Sequence, residues 1–341
     1  MSRDEPETAE YPRAECCCYE MEGELGRCGL CPHGCVIAPG RSGVCRARMN
    51  VDGRLILTTY GACSSIHVDP IEKKPLFHFH PGKQILSLGS LGCNLSCGFC
   101  QNWQISQSSA GARFLSPRDA VQMASAVPGN LGIAYTYNEP LIWYEYLMDT
   151  APLVQQAGML NVLVTNGEIN ERPLRELLPF VDAMNIDVKS MDEDFYRTVC
   201  RGPLEPVLRT VEIARDVGVH IEITNLLIPG LNDGPDQIQR LVDWLADLDP
   251  AVPLHITRYH PDYRMREPAA TPPETLIAAR EMALTELQHV YVGNMHIPGA
   301  EDTICRSCGN TVIARMGYSI VSTNLENDRC GKCGASVDVV S

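Results

Sequence analysis

Basic residues are scarce in this chain: 28 lysines and arginines stand against 42 aspartates and glutamates, a formal net charge of −14. Without a broad basic field it has little with which to grip phosphate backbones, so a general nucleic-acid-binding role is disfavoured. Long apolar runs are missing too. None approaches the roughly 20 residues needed to span a bilayer, and the opening Met1-Ser2-Arg3-Asp4-Glu5-Pro6-Glu7 has no apolar signal core. A cytoplasmic protein without membrane contact is expected. What is present is bulk: 341 residues, 45% of them hydrophobic and 21% charged, enough for one large or two medium cores. Cysteine is plentiful, at 16 residues. In a chain with no secretion signal thiols stay reduced, and clustered ones more often hold metals than form disulfides. Three clusters stand out: Cys28, Cys31, Cys35 and Cys45; Cys93, Cys97 and Cys100; Cys305, Cys308, Cys330 and Cys333.

Residues 1–24 carry eight acids, two arginines and almost no aliphatic side chains, so a disordered acidic tail is expected there. Cys16, Cys17 and Cys18 lie in it as unassigned thiols. Residues 25–83 form a small leading module: a Gly- and Pro-punctuated knuckle, a hairpin turning at Asp52-Gly53, and the polar-apolar mixture Ile71 to His80. From Gln84 short apolar runs alternate with amphipathic stretches. Runs starting near 85, 131, 161, 183, 220 and 253 lie far enough apart for a crossover helix each time, which predicts a parallel sheet. Helix signals fall between them: Ser116 as N-cap before Pro117, a stretch ending at Gly158, Pro206 to Gly218, and Asp236 to Leu248. A helix from Pro273 to Leu287 and the run His289 to Val292 follow. The class is α/β, and six units suit an open, partial (βα)6 barrel over 84–300, with a terminal module over 301–341. Such sheets carry their chemistry at the C-terminal ends of the strands.

The first run leads into Gly89-Ser90-Leu91-Gly92-Cys93-Asn94-Leu95-Ser96-Cys97-Gly98-Phe99-Cys100-Gln101-Asn102. Three thiolates at C-x3-C-x2-C can bind three irons of a cubane [4Fe-4S] cluster. An electron-transfer cluster normally has four cysteines, so the missing fourth implies that a substrate or cofactor chelates the remaining iron. Zinc would want a fourth ligand, and none stands nearby.

The chain here resembles the radical S-adenosylmethionine (SAM) superfamily, whose hallmark C-x3-C-x2-C with an aromatic before the last cysteine is matched by Cys93, Cys97, Phe99 and Cys100. The resemblance implies that SAM chelates the open iron through its amino and carboxylate groups. One electron from the cluster then cleaves a C–S bond to give methionine and a 5′-deoxyadenosyl radical. Later strand ends are similar to the pyruvate formate-lyase activating branch: Tyr135-Thr136-Tyr137-Asn138-Glu139-Pro140, Thr165-Asn166-Gly167, Asp187-Val188-Lys189 and Arg258-Tyr259-His260-Pro261. By that resemblance Glu139 accepts from the SAM ammonium, Asp187 and Lys189 hold the ribose and the carboxylate, and Asn102, Asn166 and His260 also contact SAM. The activases carry an aspartate before Thr-Asn-Gly that helps bind a monovalent cation. Val164 stands there instead, and no such site is expected.

The last cysteine group, C-x2-C-x21-C-x2-C with a glycine after each pair, has the spacing of a zinc ribbon or rubredoxin-like site, and a segment of about 40 residues needs a metal to fold. Structural zinc is the reading, with mononuclear iron or a cluster as alternatives. The first group, C-x2-C-x3-C-x9-C, is assigned to zinc with an auxiliary [4Fe-4S] cluster as the alternative. These modules narrow the resemblance to the radical SAM enzyme of the AmmeMemoRadiSam system, which covers the chain from about Cys28. It rests on Cys28 to Cys35, Asp69 to Phe79, Cys93 to Trp103, Ile228 to Asp233 and the terminal ribbon. The resemblance implies an electron donor of flavodoxin or ferredoxin type and Memo-like and AMMECR-type proteins as partners.

The expected function is reductive SAM cleavage and hydrogen abstraction from an unidentified substrate. One alternative is an activase that installs a glycyl radical on a partner protein; another is a non-catalytic metal-bearing scaffold. His67, His78 and His80 are read as loop histidines, with a role at the barrel mouth as the alternative, and Cys200 is read as packed.

Overall fold

The computed structural model describes residues 11–108 and 110–341. Its frame is an eight-stranded sheet: β1 (Ser65–Pro70), β2 (Gln84–Gly89), β3 (Asn130–Tyr135), β4 (Leu160–Thr165), β5 (Ala183–Asp187), β6 (His220–Leu227), β7 (Leu254–Arg258) and β8 (Val290–Gly293). Strands neighbour one another in chain order. From β2 to β8 every pairing is parallel, and only β1 runs antiparallel, matching Ser65 to Gly89 and Pro70 to Gln84. The apolar runs become strands because they are covered on both faces, as the almost uniformly buried β5 and β7 show. No pairing joins β1 to β8 among the described residues, so the sheet stays open.

The crossovers carry helices α1 (Pro117–Ser125), α2 (Tyr144–Gln156), α3 (Glu171–Leu177), α4 (Glu205–Asp216), α5 (Pro235–Leu248) and α6 (Pro273–Ala283). At the start of α1 the Ser116 hydroxyl accepts from the Asp119 amide at 3.1 Å, with Pro117 in the first position, as the sequence indicates. The expected run His289 to Val292 forms β8, and the structure adds β1 to the strands. β1 is half exposed and takes its place only through pairing with β2, so no periodic signal marks it.

Two three-stranded sheets build the leading module, with strands Ala14–Glu15, Arg54–Leu57 and Arg48–Val51 in one and Tyr19–Glu22, Leu25–Cys28 and Val36–Ile37 in the other. The hairpin turns at Asp52-Gly53, both at positive φ, as a two-residue turn of this type requires. The expected tail over 1–24 needs correction from Tyr11 onward; the first ten residues lie outside the described ones. Ala14–Glu15 pairs with Ile56–Leu57, and Cys16 is buried, its amide donating to the Leu55 carbonyl at 2.8 Å. Composition misjudges this segment because its order comes from pairing with strands far along the chain.

The terminal module has a three-stranded sheet of Thr303–Ile304, Thr311–Met316 and Ser319–Thr323, plus the pair Leu325–Glu326 and Arg329–Cys330. It docks on the segment that follows β1. Val340 donates to the His78 carbonyl at 2.8 Å, and Arg315 donates to the Phe77 carbonyl at 2.7 Å with its guanidinium over the Phe77 ring. Inside the sheet, Glu222 of β6 accepts from the Phe77 and His78 amides at 3.0 and 2.7 Å and meets His255 at 2.6 Å. His78 is therefore a packed residue between Tyr291 and Asp338, while His67 is exposed against Tyr137. None of His67, His78 and His80 lines the central cleft. No helix among the described residues is long and apolar enough to cross a membrane.

Candidate active site

A cleft of about 430 Å3 opens over the C-terminal ends of the parallel strands, where loop backbones and polar side chains converge. The loop after β2 brings Cys93, Cys97, Phe99, Cys100 and Asn102 to it. That loop is pinned along its length. Asn138 accepts from the Ser90 amide at 2.9 Å and donates to the Ser90 hydroxyl and the Gly92 carbonyl, each at 2.8 Å. Gly92 has φ +92°, and a Cβ there would lie 2.4 Å from the Cys45 carbonyl oxygen, so no other residue fits without displacing the leading module. Farther on, the Ser96 and Gly98 amides donate to the Cys200 and Val199 carbonyls at 2.9 and 3.2 Å. Cys200 is wholly buried beneath the loop and does not line the cleft, consistent with packing.

The strand ends supply the rest. Glu139, after β3, is buried at 1% exposure; one oxygen accepts from the Leu141 amide at 2.9 Å and the Thr165 hydroxyl at 2.7 Å, the other from the Asn166 amide at 2.8 Å. Burial pushes its carboxyl up to about 7 against these bonds. A carboxylate offers about four acceptor positions, so a cationic donor in the cleft still finds room. Asn166, after β4, donates to Asn94 at 2.9 Å and to the Cys93 sulfur at 3.6 Å. At the end of β5, Asp187 forms a 2.7 Å ion pair with Lys189 just beyond it. Burial pulls the Lys189 ammonium down, but Asp187 and the nearby thiols outweigh it and hold it well above its ordinary value.

Cys93, Cys97, Cys100, Phe99, Asn102, Glu139, Asn166, Asp187 and Lys189 thus share one cleft, and Val164 lines it as well. His260 does not. Strand β7 ends at Arg258, Tyr259 turns into the core with its amide on the Thr271 hydroxyl at 3.0 Å, and His260 is left exposed, reaching the cleft only through Gln101 at 3.1 Å.

Sequence reasoning missed Lys74. It is buried, lines the cleft, and pairs with Asp69 at 2.8 Å, and its ammonium sits 4.7 Å from the Tyr137 ring. Tyr137, at φ +73°, donates to the same carboxylate at 2.5 Å. Burial lowers the Lys74 ammonium to about 8. The Asp-Pro-Ile-Glu-Lys-Lys run was visible in sequence, but nothing local shows that it folds back over the strand ends.

The residues fit the expected cofactors. Three cleft-lining thiols with no fourth cysteine in the lining suit a [4Fe-4S] cluster that keeps one iron for an exchangeable ligand. Amine, carboxylate and hydroxyl partners surround the same space.

The terminal quartet is a separate metal site. Its four sulfurs lie within 4.8 Å of one another, with Cys305 to Cys333 and Cys308 to Cys330 both at 3.7 Å. A tetrahedral ion with metal–sulfur bonds of about 2.3 Å sets its sulfurs about 3.8 Å apart.

Comparison with known proteins agrees with this geometry. The profile of the Radical SAM superfamily matches residues 88–245. An uncharacterized protein of Methanocaldococcus jannaschii is 42% identical over 331 residues, which is 94% of this chain and 98% of that one. A pyruvate formate-lyase-activating enzyme of Clostridium pasteurianum is 24% identical over 181 residues, 50% of this chain and 72% of the enzyme. The crystal structure of Streptococcus suis SuiB bound to S-adenosylmethionine superposes with a TM-score of 0.51 at 14% identity, covering 62% of this chain and 52% of that one, a likeness of fold.

Proposed function

This chain belongs to the radical SAM superfamily and is related to the activating enzymes, and from that premise we propose that it cleaves SAM reductively at a cluster held by Cys93, Cys97 and Cys100 and takes hydrogen from a small or partner-delivered substrate. The observation that carries this reading is the trio of thiols without a fourth, facing the same cleft as Glu139, Asn166, Asp187 and Lys189. When bound, cluster and SAM supply one-electron cleavage of a carbon–sulfur bond and a carbon radical that abstracts hydrogen. The protein's own residues position and exclude. Glu139, held by three hydrogen bonds, receives the SAM ammonium; the Asp187–Lys189 pair presents one acceptor and one donor to ribose and carboxylate. Asn166 donates toward the Cys93 sulfur, and the buried Phe99 of the same loop gives the cleft an apolar wall that excludes water from the cluster.

The substrate side favours something other than a glycyl radical protein. Lys73, Lys74 and Pro75 from the leading part of the chain and Tyr318 from the terminal module line the cleft, narrowing the space a large protein loop would need. The buried Lys74 gives that space a fixed cationic donor. The flanking modules also support the AmmeMemoRadiSam assignment, with a flavodoxin or ferredoxin type donor and Memo-like and AMMECR-type proteins as partners, and zinc is the proposed ion of the terminal quartet.

Given SAM and a strong reductant without oxygen, the protein should release 5′-deoxyadenosine, and Cys97→Ala should abolish that release. Equal silence of the wild type and the variant, with a fully loaded cluster in the wild type, would leave only the scaffold role. An electron paramagnetic resonance (EPR) spectrum showing a stoichiometric glycyl doublet on a candidate partner protein would favour the activase instead.

A further inference from the structure

The N-terminal quartet differs from the terminal one in a way that bears on what it holds. Cys28, Cys31, Cys35 and Cys45 line a single cavity of about 10 Å3, together with Leu30, Ile37 and Ile142. Among the described residues, only the terminal quartet closes tightly enough for one ion. Neither the N-terminal quartet nor the trio Cys93, Cys97 and Cys100 does so, and that trio is the site built for a cubane. Zinc with bonds of about 2.3 Å would draw the four sulfurs together and leave no cavity inside them. A cubane, whose thiolates sit on four different irons, keeps them farther apart.

Two buried nitrogens in the lining, His33 Nε2 and Arg48 Nε, have no hydrogen-bond partner. Leaving such groups unpaired costs free energy, so their presence at one cavity points to an acceptor inside it. Cluster sulfides accept N–H bonds, and such bonds tune the potential of a cluster.

The cavity also adjoins the active site. Asn94 lines it while the preceding residue, Cys93, lines the cleft; consecutive Cα atoms stand about 3.8 Å apart. Asn166 bonds to both of these side chains, at 2.9 Å to Asn94 and 3.6 Å to the Cys93 sulfur. Asn170, on the same loop, holds the knuckle by donating its side-chain amide to the Gly29 carbonyl at 2.8 Å and its backbone amide to the Leu30 carbonyl at 3.0 Å. Arg46 donates to the Gln107 carbonyl at 2.8 Å on the other side.

We propose that Cys28, Cys31, Cys35 and Cys45 hold a second [4Fe-4S] cluster, in place of zinc, which relays single electrons to the cluster of the Cys93 loop. A low-potential one-electron donor protein reduces the outer cluster by one electron. The outer cluster passes that electron inward and returns to its resting state, so that the donor loses one electron and the inner cluster gains one. The relay rests on the proposed SAM chemistry; the metal assignment does not.

The test removes the inner site by Cys93→Ala, Cys97→Ala and Cys100→Ala together and measures metals anaerobically. About four irons, about one zinc and a cubane EPR signal after reduction are expected. About two zincs and no cluster signal would overturn the assignment. Wild-type protein gives an independent reading, with about eight irons and one zinc expected against about four irons and two zincs. For the relay, Cys31→Ser with Cys35→Ser should raise the ratio of dithionite-driven to flavodoxin-driven SAM cleavage about tenfold over wild type; an unchanged ratio would overturn it. The metal and EPR arms need no SAM cleavage, so their failure is distinct from failure of the proposed function.

Discussion

The terminal module and the leading module each carry four cysteines, yet they are held together differently. In the terminal module the thiols collapse to within 4.8 Å around a satellite core of little more than Val312, Ile313, Val337 and Val339. In the leading module the thiols stay spread around a cavity, and its lining residues Leu30, Ile37 and Ile142 belong to the main core. A metal site that replaces a hydrophobic core stands apart from the chemistry. The leading quartet, fused to the main core and sharing its cavity lining with Asn94 of the active-site loop, is placed to take part in that chemistry if it holds the proposed cluster.

The largest effect should come from breaking the compact quartet. Metal binding to such sites is worth on the order of 10–16 kcal/mol in small peptides, so Cys330→Ser should unfold the terminal module. Hydrogen exchange should then show protection lost across 303–340 and kept in the parallel sheet; retained protection in 303–340 would mean that the module folds without its ion.

The leading module should respond to its buried charge pair. Arg48, 1% exposed, forks onto Glu145 at 2.9 and 2.7 Å. Arg48→Met leaves the carboxylate buried without its partner, a loss of about 3–5 kcal/mol, to be read by urea unfolding followed through the leading module.

Acid should weaken the joint between the terminal module and the sheet. Burial lowers the His78 imidazole to about 3, outweighing the attraction of Glu222. In the unfolded chain the same group has an ordinary value of 6.5. The folded protein binds fewer protons between those limits, so the stability due to neutral His78 is complete above pH 6.5 and is lost as the pH falls toward 3, by up to about 1.4 kcal/mol per unit. His78→Asn should flatten that slope in urea titrations run from pH 7 to pH 4. A slope identical to wild type would place the proton uptake elsewhere.

The smallest effect is expected in the cleft itself. If Lys189 holds SAM as proposed, Lys189→Ala should weaken SAM binding about tenfold, or about 1.4 kcal/mol, without loss of iron, because the side chain pairs with Asp187 and is no cluster thiol. Unchanged affinity in calorimetry would make the pair a structural one.

Much of this arrangement was legible in the sequence for a local reason. The six apolar runs became parallel strands, and Glu139, Asn166, Asp187 and Lys189 reached the cleft because each lies at the C-terminal end of a strand or within four residues of it. What escaped depended on distant pairing. Strand β1 and the segment from Tyr11 are ordered by partners far along the chain, Lys74 enters the cleft on a segment whose path no local pattern shows, and His260 is left out by a turn after Arg258 that buries Tyr259. The terminal cysteine spacing pointed to a metal site that the converging sulfurs bear out, whereas spacing alone does not set how far apart the loops hold the sulfurs of a quartet.

As proposed, the cluster of Cys93, Cys97 and Cys100 keeps one iron for SAM, whereas the N-terminal and terminal quartets, each with four thiols, do not. The most direct measurement is the EPR spectrum of the anaerobically reduced protein with and without SAM. SAM should change one cubane signal, the one lost in Cys97→Ala, and leave the signal of the proposed N-terminal cluster as it was. A spectrum untouched by saturating SAM would contradict it.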